Sequence, residues 1–83
     1  MDECYICGKF APLDTHHIFE GTRRKASDKY GLTIEVCRSC HTQIHLHPKQ
    51  YEWLKVEAQV KAMADYGWSK DDFIERFGKS YVQ

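Results

Sequence analysis

The chain has 83 residues and a formal net charge of zero, with twelve basic and twelve acidic side chains. A chain this short buries only about 60 to 65% of the surface that it exposes when unfolded, so it often needs a metal ion or another cross-link for stability. The balanced charge excludes a uniformly basic nucleic-acid-binding surface, so any attraction to phosphate has to be local.

The first motif is a cysteine pair, Cys-Tyr-Ile-Cys-Gly-Lys at residues 4–9. Glycine after the second cysteine allows a tight turn whose backbone amides point at sulfur. The first residues do not form a signal peptide and no apolar run is long enough for a membrane helix, so we expect a reducing cytoplasm and no membrane. There, a second pair at Cys37 and Cys40 favours one structural Zn²⁺ over disulfides. Redox chemistry and four unrelated buried thiols are the alternatives.

Residues 10–20 predict a turn at Pro12 and then a short strand from Leu13 to Phe19. Alternation along this strand sends His16 and His17 to opposite faces. One histidine can then bind a metal ion while the other lies close enough to act on a nearby water. Two incidental surface histidines are the alternative.

The polar and turn-forming residues 21–31 predict the loop of a two-stranded ribbon. This segment contains three consecutive basic residues, Arg23, Arg24 and Lys25, which form either a local phosphate-binding patch or a solvated loop. Residues 32–36 alternate between apolar and polar side chains, which predicts the returning strand.

A short helix is predicted next, and it ends at or before Pro48. It overlaps the most informative stretch of the chain, Cys-Arg-Ser-Cys-His-Thr-Gln-Ile-His at residues 37–45. The cysteine spacing is that of zinc ligands, and His41 and His45 lie four residues apart, which places both imidazoles on one helix face. The stretch therefore contributes to two metal sites, one with the other cysteine pair and one with the His16–His17 pair.

The C-terminal part predicts a helix over about residues 49–66, with Pro48 near its first turn and Gly67 as its end. The side chains predicted to face the core recur at three- and four-residue steps; they are Trp53, Val56, Val60, Met63 and Ala64.

A second C-terminal helix is predicted to begin with a capping box at Ser69 and to end at Gly78. We predict a single domain over residues 1–83, in which residues 1–47 form the metal-binding part and residues 48–83 a helical extension.

Residues 4–45 resemble the HNH endonuclease family, whose small strand-strand-helix metal motif is often framed by two Cys-x-x-Cys pairs. The tail is similar to that of small phage or prophage HNH proteins. The resemblance implies an α+β fold with a ββα-metal motif, also called a His-Me finger, a four-cysteine zinc knuckle and two C-terminal helices. The residues that match the zinc frame are Cys4, Cys7, Cys37 and Cys40.

The resemblance also implies roles for the histidines. The second member of the family's opening pair is the general base, which assigns His17, and the first binds the catalytic metal ion, which assigns His16. The closing His-x-x-x-His is similar to that of colicin-type nucleases and makes His41 and His45 the other ligands.

The implied function is a metal-dependent endonuclease that hydrolyses phosphodiester bonds of DNA and leaves 5′-phosphate and 3′-hydroxyl ends. Arg23, Arg24 and Lys25 would position phosphates without reading bases, so we expect double-stranded DNA and weak sequence preference. An all-imidazole ligand set favours Mn²⁺, Ni²⁺, Co²⁺ or Zn²⁺ over Mg²⁺, which prefers oxygen. Double-strand cleavage would need a dimer or sequential nicking. A phage-encoded protein would act in the bacterial host cytoplasm.

One position departs from the family pattern. The family asparagine that ties the ribbon loop by backbone hydrogen bonds corresponds to Leu32, and the chain contains no asparagine. Ser27 or Asp28 could bond the loop amides instead, or Gly31 and the zinc knuckle could hold the loop. The alternatives to a nuclease are a non-catalytic zinc module that binds nucleic acid or protein, and a purely structural zinc protein. Neither alternative needs four further imidazoles at these spacings.

Overall fold

Two antiparallel strand pairs and four helices give residues 1–82, the part of the chain that the computed structural model describes, an α+β architecture. The elements in chain order are β1 (Asp2–Glu3), β2 (Phe10–Ala11), β3 (Leu13–His17), α1 (Arg24–Lys29), β4 (Thr33–Cys37), α2 (Arg38–Leu46), α3 (Trp53–Tyr66) and α4 (Lys70–Phe77), with a 3-10 turn at Gly21–Arg23 between β3 and α1. None of the helices in this part is both long and apolar enough to cross a membrane.

The centre of the fold is the ribbon formed by β3 and β4, in which Leu13 lies opposite Cys37 and His17 opposite Thr33. The predicted pairing of two strands, followed directly by a helix, is present, but the predicted loop between the strands contains a further helix. The strand bounds differ, because β3 ends at His17 instead of Phe19 and β4 runs from 33 to 37 instead of 32 to 36. Helix α2 begins at Arg38, directly after β4, so no flexible residue separates the ribbon from the helix.

The first cysteine pair lies in a tight turn, residues 4–9, that we call the knuckle. The Cys4 N–H donates to the Lys9 carbonyl at 2.9 Å, and the Gly8 N–H donates to the Cys4 carbonyl at 2.9 Å. Gly8 has a φ of 74°, a left-handed conformation that glycine adopts at little cost. The Tyr5 N–H donates to the Glu35 carbonyl at 2.9 Å, which attaches the knuckle to β4.

The connection between β3 and β4 contains a helix that the sequence did not predict. Residues 21–31 were expected to form a loop, but α1 occupies 24–29. Their polarity reflects exposure to solvent, whereas arginine, lysine and alanine favour helix. One side of the helix is still covered, because Ser27 is buried and Ala26 is half-buried.

Ser27 closes this connection by three hydrogen bonds. Its Oγ accepts from the Phe19 N–H at 2.9 Å and donates to the Leu32 carbonyl at 3.2 Å, and its own carbonyl accepts from the Leu32 N–H at 2.8 Å. These bonds link the segment after β3 to the residue before β4. Ser27 and Asp28 were the two residues expected to bond the backbone of this connection, and Ser27 is the one that does so. Leu32 is only 3% exposed and lies in the core.

The buried face of α3 differs from the predicted one. The helix begins at Trp53, after turns at residues 48–52, instead of at 49. Trp53 is 45% exposed and Val60 54% exposed, so neither is a core residue. The residues that are buried instead are Leu54, Ala58, Gln59 and Ala62. The prediction favoured large apolar side chains, whereas two alanines and a glutamine join Leu54 on the buried face, and the predicted core residue Ala64 is exposed.

The polar Gln59 is fully buried because its amide is bonded. Its Nε2 donates to Ser80 Oγ at 3.0 Å, and its Oε1 accepts from the Tyr81 N–H at 2.7 Å. A buried amide with such partners costs little, whereas an unpaired one is destabilising. Gln59 therefore holds the C-terminal segment against α3.

Helix α4 has the predicted ends. The Ser69 side chain accepts from the Asp72 N–H at 3.1 Å and the Asp72 carboxylate accepts from the Ser69 N–H at 2.9 Å, which completes the capping box. Gly78 ends the helix with a φ of 90°. Phe73 and Phe77 pack on Phe19, with ring centroids 5.6 and 4.7 Å away.

We predict that Ser27→Ala lowers the free energy of unfolding by about 1 to 3 kcal/mol, because the buried Phe19 N–H loses its acceptor and the Leu32 carbonyl loses a donor. Urea denaturation of the zinc-loaded protein measures this change. Thr22→Ala removes an exposed hydroxyl from the same connection and should change the value by less than about 0.5 kcal/mol. Equal effects of the two substitutions would contradict the role of Ser27.

Candidate functional site

Four cysteine side chains converge between the knuckle and the junction of β4 with α2. Sulfur atoms of Cys4, Cys7, Cys37 and Cys40 all lie within 4.8 Å of one another, and those of Cys7 and Cys37 are 3.9 Å apart. Tetrahedral zinc with Zn–S bonds of about 2.3 Å separates its sulfurs by about 3.8 Å. The four cysteines could therefore bind one zinc ion, as the two Cys-x-x-Cys pairs predicted.

The electrostatics of this cluster also favour a cation. Burial acts to raise the pKa of Cys4, but backbone hydrogen bonds from Cys7, Cys37 and Ile6 outweigh it and lower this pKa to about 6. Burial, followed by contacts with the other three sulfurs, raises the pKa of Cys40. The Cys4 thiolate thus forms easily, and its charge is one of the causes that oppose ionisation of Cys40. A divalent cation removes this conflict because it stabilises all four thiolates.

A second cluster forms where α2 lies beside β3. Ring nitrogens of His16 from β3 and of His41 and His45 from α2 lie within 4.8 Å of one another. The ring centroid of His16 lies 5.3 Å from that of His41 and 5.5 Å from that of His45. The ribbon register and the direct entry into α2 bring these residues together, because His16 pairs with Ile34 three residues before the strand ends at Cys37. We call this group the histidine centre.

His16 has the environment of a neutral ligand. Its side chain is 4% exposed, and among the described residues its buried Nδ1 has no hydrogen-bond partner. Burial lowers the pKa of His16, and although Glu20 opposes this effect, the nearby His41 and His45 add to it. A neutral imidazole with an unused buried nitrogen is suited to bind a metal ion.

Asp14 orients a second member of the centre. Its Oδ2 lies 3.3 Å from His41 Nδ1 and 3.1 Å from Arg38 Nε. A carboxylate at Nδ1 fixes the proton on that nitrogen and leaves the Nε2 lone pair for a metal ion. The sequence analysis did not select Asp14, although alternation along the strand places it on the same face as His16.

Glu20 is the other carboxylate that sequence reasoning missed. Its Oε1 lies 3.6 Å from His16 Nδ1 and 3.5 Å from His45 Nε2. It follows the end of β3, where the strand alternation no longer predicts the direction of a side chain. The sequence places Glu20 four residues after His16, but a four-residue spacing predicts contact between side chains only in a helix, and this segment is not helical.

His17 lies apart from the three clustered imidazoles. Its Nε2 is 3.6 Å from Asp28 Oδ1 in α1, and its side chain is 16% exposed. The two adjacent histidines thus have different partners, as the strand alternation predicted. Both nevertheless line one cavity of about 270 Å³, whose other lining residues are Thr15, Glu20, Gly21, Arg24, His41 and His45.

The three consecutive basic residues, all exposed, have different surroundings. Arg24 lines the cavity beside the histidines, whereas Lys25 is exposed. Arg23 Nη1 donates to the Arg76 carbonyl at 3.3 Å, at the C-terminal end of α4, where a cation is favourable. Of the three, Arg24 is the residue that lines the cavity, while the exposed Lys25 remains available to phosphates outside it.

Comparisons with known proteins add no further constraint. No protein-family model matches the chain, and no match is found among curated proteins or among solved structures. Functional interpretation therefore depends on the chemistry of the cysteine cluster and the histidine centre.

We predict that removal of zinc unfolds the protein. Structural zinc contributes about 10 to 16 kcal/mol of binding free energy, which equals or exceeds the usual stability of a small domain. Treatment with a strong chelator should abolish the cooperative thermal transition, as followed by circular dichroism, and one equivalent of Zn²⁺ should restore it. Cys37→Ser should prevent this recovery, and Ser39→Ala in the same motif should not. An unchanged transition after complete zinc removal would contradict a structural role.

Proposed function

We propose that the protein is a metal-dependent DNA endonuclease of the HNH type, in which β3, β4 and α2 form the ββα-metal motif. The observation that carries the proposal is the pairing of two different histidine environments in one cavity. His16 joins His41 and His45, and its buried Nδ1 has no hydrogen-bond partner within residues 1–82, while His17 lies near a separate carboxylate, Asp28. A structural zinc module has no use for this second arrangement.

The histidine centre is the proposed site of the catalytic ion. His16, His41 and His45 would hold a divalent cation, which supplies positive charge to the phosphate and to the leaving oxygen. Asp14 keeps His41 in the tautomer that exposes Nε2. Imidazole ligands favour Mn²⁺, Co²⁺, Ni²⁺ or Zn²⁺ over Mg²⁺.

His17 is the proposed general base. A neutral imidazole in the cavity takes a proton from the attacking water, and a negative charge close to the ring favours this transfer. Asp28 lies beside Nε2 of His17, which leaves Nδ1 as the nitrogen that accepts the proton. Asp28 also stabilises the imidazolium that forms, because its negative charge lies close to the new positive charge.

Arg24 is the proposed phosphate contact. It lines the cavity beside His17 and Glu20, so its guanidinium can bind a phosphate oxygen of the strand being cut or of its neighbour. Arg23 and Lys25, which the sequence also pointed to, lie at α4 and in solvent and would contribute only long-range attraction. Contacts to phosphate carry no base information, so we propose double-stranded DNA with weak sequence preference as the substrate.

We predict that His17→Ala lowers the rate of plasmid nicking by a factor of about 10² to 10⁴, the usual contribution of a general base. The assay uses zinc-loaded protein with Mg²⁺, Mn²⁺, Co²⁺, Ni²⁺ and Zn²⁺ supplied in turn. His47→Ala is the matched control, because His47 is exposed at the end of α2. The His17 variant should keep its zinc content, its thermal transition and its affinity for the second ion.

Two results would contradict this proposal. Absence of cleavage with every ion, from wild-type protein shown to be folded and zinc-loaded, would leave a non-catalytic zinc module that binds nucleic acid or protein. Full activity in His17→Ala would mean that another group is the base or that a contaminating nuclease is present.

We predict that Arg24→Ala weakens DNA binding and lowers its salt dependence. Loss of one phosphate contact should reduce the slope of log K against log salt concentration by about 0.9. Fluorescence anisotropy with a short duplex at several salt concentrations measures this slope. Arg23→Ala is the matched control, because that guanidinium is already bonded at α4 and should leave the slope almost unchanged. Equal effects of the two substitutions would argue against a specific role for Arg24.

A further inference from the structure

Glu20 has a relation to the histidine centre that hydrogen bonding does not explain. Its Oε1 lies 3.6 Å from His16 Nδ1 and 3.5 Å from His45 Nε2. Hydrogen bonds between nitrogen and oxygen normally measure 2.7 to about 3.2 Å, so both distances are too long. His16 Nδ1 is nevertheless buried, faces this carboxylate and has no hydrogen-bond partner among the described residues.

These distances match those between ligand atoms around one metal ion. Nitrogen and carboxylate oxygen bind zinc and similar ions at about 2.0 to 2.2 Å. Two ligand atoms of a tetrahedral ion at such distances are separated by about 3.4 Å. The two distances from Glu20 are thus close to the edges of a coordination tetrahedron.

The surroundings of Glu20 restrict where its carboxylate can lie. The preceding Phe19 is buried against Phe73 and Phe77, and its N–H is held by Ser27. The following Gly21 turns the chain with a φ of 63°. Although the Glu20 side chain is 50% exposed, its backbone is therefore held on both sides, beside the histidine centre.

We propose that Glu20 is the fourth protein ligand of the ion held by His16, His41 and His45. This inference rests on the metal centre of the proposed function and adds a residue to it. Three neutral imidazoles and one carboxylate reduce the charge of a divalent ion from plus two to plus one. The oxygen ligand also makes the centre more suitable for harder ions such as Mn²⁺ than three imidazoles alone.

The test measures Co²⁺ binding to the full-length protein after one equivalent of Zn²⁺ has filled the cysteine cluster. Isothermal titration calorimetry gives the affinity, and the absence of thiolate charge-transfer absorption shows that cobalt has not displaced zinc from sulfur. Wild-type protein is compared with Glu20→Gln, Glu20→Asp and the control Glu75→Gln, which removes an exposed carboxylate from α4.

We expect wild type and Glu75→Gln to bind one Co²⁺ equally well. Glu20→Gln should bind at least about tenfold more weakly, because substitution of groups around a metal site typically costs 10- to 100-fold in affinity. Glu20→Asp should also lose affinity, because its carboxylate is one methylene shorter and does not reach the ion. The visible spectrum of bound cobalt should change in both Glu20 variants, since the number of ligands changes.

Other outcomes separate this inference from the proposed function. Wild-type affinity in Glu20→Asp with a loss in Glu20→Gln would mean that Glu20 acts through its charge and is not a ligand. Wild-type affinity in both variants would remove Glu20 from the centre but leave the nuclease proposal standing. Failure of wild-type protein to bind Co²⁺ would overturn both. Glutamate-dependent binding without DNA cleavage would retain the ligand and reject the nuclease.

Discussion

The direct passage from β4 into α2 at Cys37 is the constraint on which both clusters depend. Cys37 is the last residue of the strand and the residue that precedes the helix, so it belongs to the ribbon and to the cysteine cluster at once. One turn further along α2, His41 faces the histidine centre. Zinc bound to the cysteines would therefore fix the start of α2, and with it the distance of His41 from His16 on β3. A zinc ion at the cysteines would thus support the geometry of the second centre.

The two clusters differ in charge, which the neutral composition conceals. Four thiolates around one Zn²⁺ carry a net charge of minus two, whereas a divalent ion with three imidazoles and one carboxylate keeps plus one. Arg24 adds a second positive charge beside the histidine centre. A phosphate would therefore be attracted to the cavity and repelled from the cysteine cluster, although the chain has no overall charge. Local charge separation of this kind can orient a phosphate-containing ligand on a small domain without a uniformly basic surface.

The sequence predicted the features that depend on local spacing. The two Cys-x-x-Cys spacings, the different neighbours of the adjacent His16 and His17, and both ends of α4 depend on positions only a few residues apart. Features that depend on tertiary contacts were missed. Helix α1 lies in a polar segment, and the buried face of α3 includes two alanines and a hydrogen-bonded glutamine, which a pattern of large apolar side chains does not select. Glu20 was missed because its direction depends on the turn after β3, which no periodic pattern describes.

Helix α1 contains the residue that bonds the backbone of the ribbon connection, where the pattern that the chain resembles has an asparagine. Leu32 occupies that position and packs in the core, so its side chain cannot tie the connection. Ser27, in α1, connects the two ends of this segment through hydrogen bonds to the backbone of Phe19 and Leu32. The next residue, Asp28, projects from the same helix toward His17. Consecutive residues of one short helix thus close the ribbon connection and place a carboxylate near the proposed base, so any disturbance of the closure should also displace the carboxylate.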